Sequence, residues 1–299
     1  MEVAYPFLLE LYRDYDAGTL YPEDFAAAVR LGEAYFFRRS VVRIPTNSLN
    51  KTFATLARSL RKEHYLESLQ AELVSLPSYR RFPDDEEFGA AFATRDMYNF
   101  RNRAYWLRRL ENYARKEFVP VSEYTVEHIL PRNENLGEEW RTVLGHEWNR
   151  VQKTWVHTSG NLTLTGYNSE YGDRPFAEKR DMDGGFRHSP LWLNEGLGEE
   201  PTWDEEAIGR RAASLMARAV TVWARPALPV RFGLPELSSA PASPARTVEW
   251  YPHLAAGTPM RSLFERVRLE ILDLGPELSV SGQGIPPGGG QVIPPGPLS

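Results

Sequence analysis

The reading of the chain turns on TVEHILPRNE, Thr125 to Glu134, and on a second stretch, HTSGNLTLTGYNSEYGDRPFAEK, His157 to Lys179. The preceding VPVSEY and TVEHILP are rich in β-branched residues and end at Pro131, so the segment reads as extended. If residues 126 to 130 are extended, Glu127 and His128 project to opposite faces and can serve different partners. GNLTLT alternates apolar and polar residues, as a half-buried strand does. That strand, Leu162 to Thr165, carries Asn161 and Asn168 at its two ends. RPFAEKRDM reads as a short helix that holds Lys179.

Outward from this centre, residues from about Glu2 to Lys116 read as helices. Pro22 followed by two acids opens one, which Arg38 and Arg39 close. SLNKTFATLARSLRKEH has apolar residues at helical spacing, and Pro83 followed by acids opens another helix. In MYNFRNRAYWLRRLENYARK a stripe of Tyr98, Trp106, Leu110 and Tyr113 is expected to face the core. A last long helix is expected from Trp203 to Trp223, stopped by Pro226. The domains expected are a helical one over residues 1–118 and a catalytic one over 119–226. A Pro-, Ala- and Ser-rich linker follows over 227–247, then a partial accessory helical segment over 248–280 with an amphipathic helix from Met260 to Leu274. Residues 281–299 are mostly Gly, Pro and Ser and are expected to be disordered.

Composition sets bounds. Charged residues make up 25% and hydrophobic residues 42%, the balance of a globular chain with a core. The formal net charge of −5 excludes a uniformly basic coat, but not a local basic face. There are no cysteines, so disulfides, thiolate nucleophiles and Cys-ligated zinc are excluded. No signal peptide and no membrane span is read, and a cytoplasmic location is expected.

The residue types around Glu127 suit phosphodiester cleavage. That reaction needs an activated water, a cation on the phosphate and hydrogen bonds that fix the geometry. A neutral imidazole can accept the proton. A hard cation such as Mg²⁺ takes a carboxylate, an amide carbonyl and waters. Glu127 and Asn168 then form a metal pair beside a base, His128. His157 reads either as a second imidazole at the site or as a loop-fixing residue, and the second is favoured. Arg95 to Lys116 holds seven basic residues against two acids. This is either a solvated face or a phosphate-binding one, with Arg101, Arg108 and Arg115 on one side at sevenfold spacing. His64, His146, His188 and His253 show no partner pattern.

EHILP followed by GNLTLTGYN, with Phe176 and Lys179 beyond, resembles the HNH (ββα-metal) nucleases. More specifically it is similar to the C-terminal nuclease region of GmrSD-type, modification-dependent restriction endonucleases. The resemblance spans most of residues 1 to 226, including PTNSLNK and RFPDDEEF. It implies a mainly α chain with a small ββα-metal (HNH) nuclease core, an α+β arrangement. It also implies a DNA endonuclease of a restriction or phage-defence system that uses Mg²⁺ or Mn²⁺. His128 then matches the general base and Asn161 the asparagine that ties the loop and orients the histidine. Glu127 and Asn168 match the metal ligands, Asn168 standing where other members have His. Lys179 matches a helix lysine near phosphate. Arg132 follows the proline where many relatives have Gln, and is expected at the DNA. The long interval from Pro131 to Asn161 makes WRTVLGHEWNRVQKTW an insertion. Neither a Walker-type loop nor a DGQQR-like motif is present, so a nucleotide-dependent sensor domain is expected on a separate chain or lost. The competing readings are a non-catalytic DNA-binding or scaffold subunit that keeps the fold, and an RNA nuclease.

Overall fold

The computed structural model describes residues 2–100 and 103–227. Arg101, the linker, the accessory segment with its Met260–Leu274 helix, and the tail lie outside the described residues. Eleven α-helices are described: α1 Tyr5–Asp16, α2 Pro22–Val42, α3 Leu49–Ser59, α4 Tyr65–Ser75, α5 Asp85–Thr94, α6 Arg103–Asn112, α7 Glu138–Leu144, α8 Trp148–Trp155, α9 Asn168–Tyr171, α10 Phe176–Asp181 and α11 Glu205–Val222. Two strands, β1 Thr125–His128 and β2 Leu162–Thr165, form an antiparallel sheet. The fold is therefore mostly helical with one small two-stranded sheet.

Local chemistry accounts for the helix starts. Pro22 stands at the first turn of α2 with Glu23 and Asp24 behind it, where acids meet the positive helix end. Asp84 caps α5 by accepting from Glu87 N at 2.8 Å, and Asp204 caps α11 by accepting from Ala207 N at 2.9 Å. Arg38 and Arg39 do not end α2 as the sequence suggested. The helix runs on to Val42, and both guanidinium groups are buried among backbone carbonyls. Arg38 Nε donates to Trp223 O at 2.5 Å, and Arg39 donates to Tyr79 O and Pro45 O, each at 2.8 Å. Burial of a charge without partners is costly, so these carbonyls, together with Asp85 at 2.6 Å from Arg38, are what permit two arginines in a core.

Two apolar clusters fill the molecule. The larger combines α1 to α6 with Leu162 and Leu164 of β2 and Leu215, Ala219 and Trp223 from the end of α11. It thus draws side chains from both sides of residue 118. Trp223 stacks on Phe37 at a 4.0 Å centroid separation, and its indole N–H donates to the Tyr105 hydroxyl at 2.9 Å. The smaller cluster gathers Ile129, Leu130, Trp140, Tyr171, Phe176, Phe186, Trp203 and Ile208 around the far side of the sheet. Consequently β2 is buried along all four residues, rather than half-buried as its alternation suggested.

The stretch from Trp140 to Trp155, read from the sequence as an insertion, forms most of α7, a short turn and α8. It braces the loop after β1: Gln152 Nε2 donates to Pro131 O and Asn133 O, each at 2.8 Å, and Trp140 Nε1 donates to Arg174 O at 3.2 Å. At Gly160 a Cβ would lie 2.6 Å from Ile208 O, so only glycine lets α11 come this close to the turn before β2.

Candidate active site

The site is built on β1. Register pairs Glu127 with Thr163 and His128 with Leu162. Because alternate residues of a strand face opposite ways, Glu127 and His128 separate into two environments.

On one face Glu127 meets α10. Lys179 Nζ donates to Glu127 Oε1 at 2.6 Å and also to the carbonyls of His128 and Ile129, at 3.1 and 3.2 Å. The Lys179 side chain is fully buried and that of Glu127 is 5% exposed. Burial pushes the Glu127 carboxyl upward and the Lys179 ammonium downward, and each is countered by the charge of the other. Lys179 therefore does not sit on a DNA-facing surface as the sequence suggested. It is the counter-ion of Glu127 and ties the end of β1 to α10.

On the other face His128 meets aromatic rings and cations. Its Nε2 lies 3.1 Å from His157 Nδ1. The Tyr98 ring is edge-on to His128 at 4.4 Å and stacked on His157 at 5.3 Å. The Arg103 guanidinium lies 4.5 Å and that of Arg132 5.2 Å from the Tyr98 ring centre, and Arg132 also donates to the Tyr98 hydroxyl at 3.2 Å. Burial, followed by the influence of His157, Arg132, Lys179 and Arg103, pulls the His128 imidazolium down to about 3. The ring is therefore neutral through the physiological range, with a lone pair on one of its nitrogens.

Asn161 ties the two strands together. Its Oδ1 accepts from Leu130 N at 2.7 Å and Trp203 Nε1 at 3.0 Å, and its Nδ2 donates to Leu130 O at 2.9 Å and Val156 O at 3.0 Å. The side chain is fully buried and satisfied, and it holds the chain two residues beyond His128. Asn168 opens α9, and its Nδ2 donates to Val126 O at 2.8 Å. Its Oδ1 accepts no hydrogen bond among the described residues. Glu127 and His128 thus lie on the two faces of β1, with Asn168 bonded to the strand and Asn161 to the chain just after it.

The basic helix is different from its sequence reading. Tyr98 lies before α6, in a turn where Asp96 accepts from Asn99 N at 2.8 Å, so it is off the helix, and it both packs against the larger core and reaches the site. α6 ends at Asn112, whose side chain pairs with the backbone of Val119, and Ala114 turns left-handed at φ 59°. Arg108 is on α6 but Arg115 is beyond it, so the sevenfold spacing does not define one face. Arg115 instead pairs with Glu111, which is fully buried, and lies 4.1 Å over the Trp192 ring. Glu111 in turn accepts from Leu193 N at 2.9 Å and Trp192 N at 3.1 Å, so Arg115 belongs to a structural cluster.

Sequence reasoning had given His157 a loop-fixing task. Its carbonyl does this, accepting from Met97 N at 2.8 Å and Tyr98 N at 3.2 Å, but its ring also lies on His128. Tyr98, Arg103 and Arg211 were missed. Arg211 of α11 donates to the carbonyls of Gly160, Leu162 and Leu193 at 2.8 to 2.9 Å and so holds β2 from behind. No spacing in the sequence points to such carbonyl contacts.

Residues 82–218 match the family of GmrSD restriction endonucleases, C-terminal domain. The GmrSD-like segment contains the whole site, from Tyr98 and Arg103 through β1 and β2 to Lys179 and Arg211. It begins at α5, so α1 to α4 lie outside the match. No curated protein and no solved structure matches the chain. No helix among the described residues is long and apolar enough to cross a membrane.

Proposed function

We propose that the chain is a metal-dependent DNA endonuclease of the HNH type, working in a restriction or phage-defence system. The observation that carries this reading is that β1, within a GmrSD-like segment, carries a neutral imidazole and a carboxylate on its two faces, with Asn168 bonded to Val126 and Asn161 to the chain just after the strand. His128 is the general base that takes the proton of the attacking water. Asn161 is a positioning residue that fixes the chain after His128. Arg132 and Arg103, flanking Tyr98 beside His128, supply positive charge for a phosphate.

Glu127 and Asn168 would hold Mg²⁺ or Mn²⁺. Lys179 engages only Oε1 of Glu127, and Asn168 spends its amide nitrogen on Val126, keeping its carbonyl oxygen. Among the described residues no group of three or more His, Asp or Glu side chains could hold a metal ion. So small a protein donor set suits Mg²⁺, which keeps several waters and is completed by phosphate oxygens. When bound, the ion supplies Lewis-acid stabilisation of charge on the phosphate.

The closed Glu127–Lys179 pair favours one other reading, a non-catalytic DNA-binding or scaffold subunit in which this carboxylate is structural. Plasmid cleavage by the purified chain separates the two. Nicking that needs Mg²⁺ or Mn²⁺, stops with EDTA and disappears in His128→Ala supports the nuclease, and an RNA substrate in parallel identifies its polymer. DNA binding without cleavage under all these conditions, with a candidate partner chain added, establishes the scaffold.

A further inference from the structure

The two imidazoles of the site are not equivalent, and their contact fixes more than position. His128 Nε2 and His157 Nδ1 are 3.1 Å apart. At that separation one nitrogen must carry a hydrogen and the other a lone pair, since two N–H groups or two lone pairs would repel. The other ring nitrogen of His128, Nδ1, makes no hydrogen bond among the described residues, yet it is not an atom sealed away from solvent without a partner. It is the only ring position of His128 left for a water. A proton acceptor is needed there, with the lone pair on Nδ1 and the hydrogen on Nε2.

His157 is itself held in place. Its carbonyl receives Met97 N and Tyr98 N, and its ring is stacked on Tyr98. Tyr98 is gripped by Arg132 and Arg103. The His157 ring is therefore held beside His128 rather than being a side chain that drifts onto its neighbour.

We propose that His157 is a positioning residue that accepts the Nε2–H of His128 and so holds His128 in the tautomer whose Nδ1 faces the attacking water. The inference rests on the nuclease reading, which is what calls for the lone pair on Nδ1, while the 3.1 Å contact itself does not depend on it. In the proton transfer, Nδ1 of His128 gains the water proton, Nε2 keeps its own, and His157 continues to accept. No other co-reactant is needed.

The test begins with ring-nitrogen NMR of the full chain without metal, which reads the tautomer whether or not the protein cleaves. His128 should show hydrogen on Nε2. A hydrogen on Nδ1 overturns the proposal outright, and leaves the nuclease reading to the plasmid assay. Substitutions then read the consequence. His157→Leu should mix the two His128 tautomers and lower kcat by about 10–100-fold, the usual cost of losing a residue that orients a histidine, with little change in KM. His157→Asn, whose amide oxygen can accept at the same reach as Nδ1, should restore both the tautomer and most of kcat. Equal kcat in His157→Leu and wild type, or no rescue by His157→Asn in a folded protein, would show that the contact does not set the base.

Discussion

Lys179 Nζ lies 2.6 Å from Glu127 Oε1, and the two side chains are 0% and 5% exposed. An ion pair this deep is not a strong source of stability in itself, because both groups lose their hydration. Its removal by halves is another matter. Lys179→Met leaves a buried carboxylate without a counter-ion and should cost about 3–5 kcal/mol. Adding Glu127→Gln should return a large part of that loss. Urea unfolding of the two single variants and the double variant measures the coupling. A Lys179→Met protein as stable as wild type but weaker on DNA would return Lys179 to the phosphate role.

The base makes a kinetic prediction. His128→Ala should reduce cleavage by about 10²–10⁴-fold. DNA affinity should hardly move, since the imidazole acts on water. Cleavage with Mg²⁺ and binding with Ca²⁺ measure the two separately. Full cleavage by His128→Ala would mean that another residue is the base.

Acid should destabilise the native chain through the same ring. The His128 imidazolium is pulled to about 3 from its ordinary 6.5. Between those values the unfolded chain binds a proton that the native chain refuses. Stability is therefore lost as pH falls through 6.5, at up to about 1.4 kcal/mol per pH unit, and the loss is complete near pH 3. Glu127, whose carboxyl is pushed upward, works in the opposite direction. A comparison of wild type with His128→Asn isolates the imidazole: thermal unfolding between pH 4 and 7.5 should show a shallower acid slope in the variant.

Salt dependence should divide the arginines. Arg132→Ala and Arg103→Ala should each lower the magnitude of the binding slope by about 0.9 on duplex DNA if each contacts one phosphate. Arg115→Ala should leave the slope unchanged and instead lower stability, because Glu111 is fully buried and loses its cation. Binding measured over a salt series, beside an unfolding curve for each variant, checks both. A changed slope in Arg115→Ala would place DNA against Trp192.

These arginines also show where sequence is informative. Helix starts were legible at Pro22 and just after Pro83 because a proline followed by acids acts within one turn, whereas the Asp204 cap, which starts α11 at Glu205 rather than Trp203, was not read. The two short strands that carry Glu127 and His128 and are flanked by Asn161 and Asn168 were legible because extended segments of this kind leave a local pattern. Tyr98 was misread because Asp96 draws the backbone of Asn99 into a turn that competes with helix, although the apolar spacing continues through it. Lys179 was misread for another reason. A lysine on a short helix has no mark of burial, and only the approach of α10 to β1 makes Glu127 its partner. Contacts such as Arg38 with the Trp223 carbonyl, 185 residues away, leave no local trace at all.

That last contact has a consequence for how the chain is made. The core around Phe37 and Tyr105 is closed by Trp223, which lies five residues beyond the GmrSD-like segment. During synthesis α2 leaves the ribosome with Arg38 and Phe37 complete but without the ring and carbonyl that receive them. At roughly 5–20 residues per second, the intervening chain delays closure by on the order of ten seconds or more. Over that interval the early helices hold a buried-type arginine and an open aromatic pocket in water, so a nascent chain halted before Trp223 is the form most exposed to chaperones and proteases. The last turn of α11 acts as a latch that is set only when β1 and β2 have already emerged.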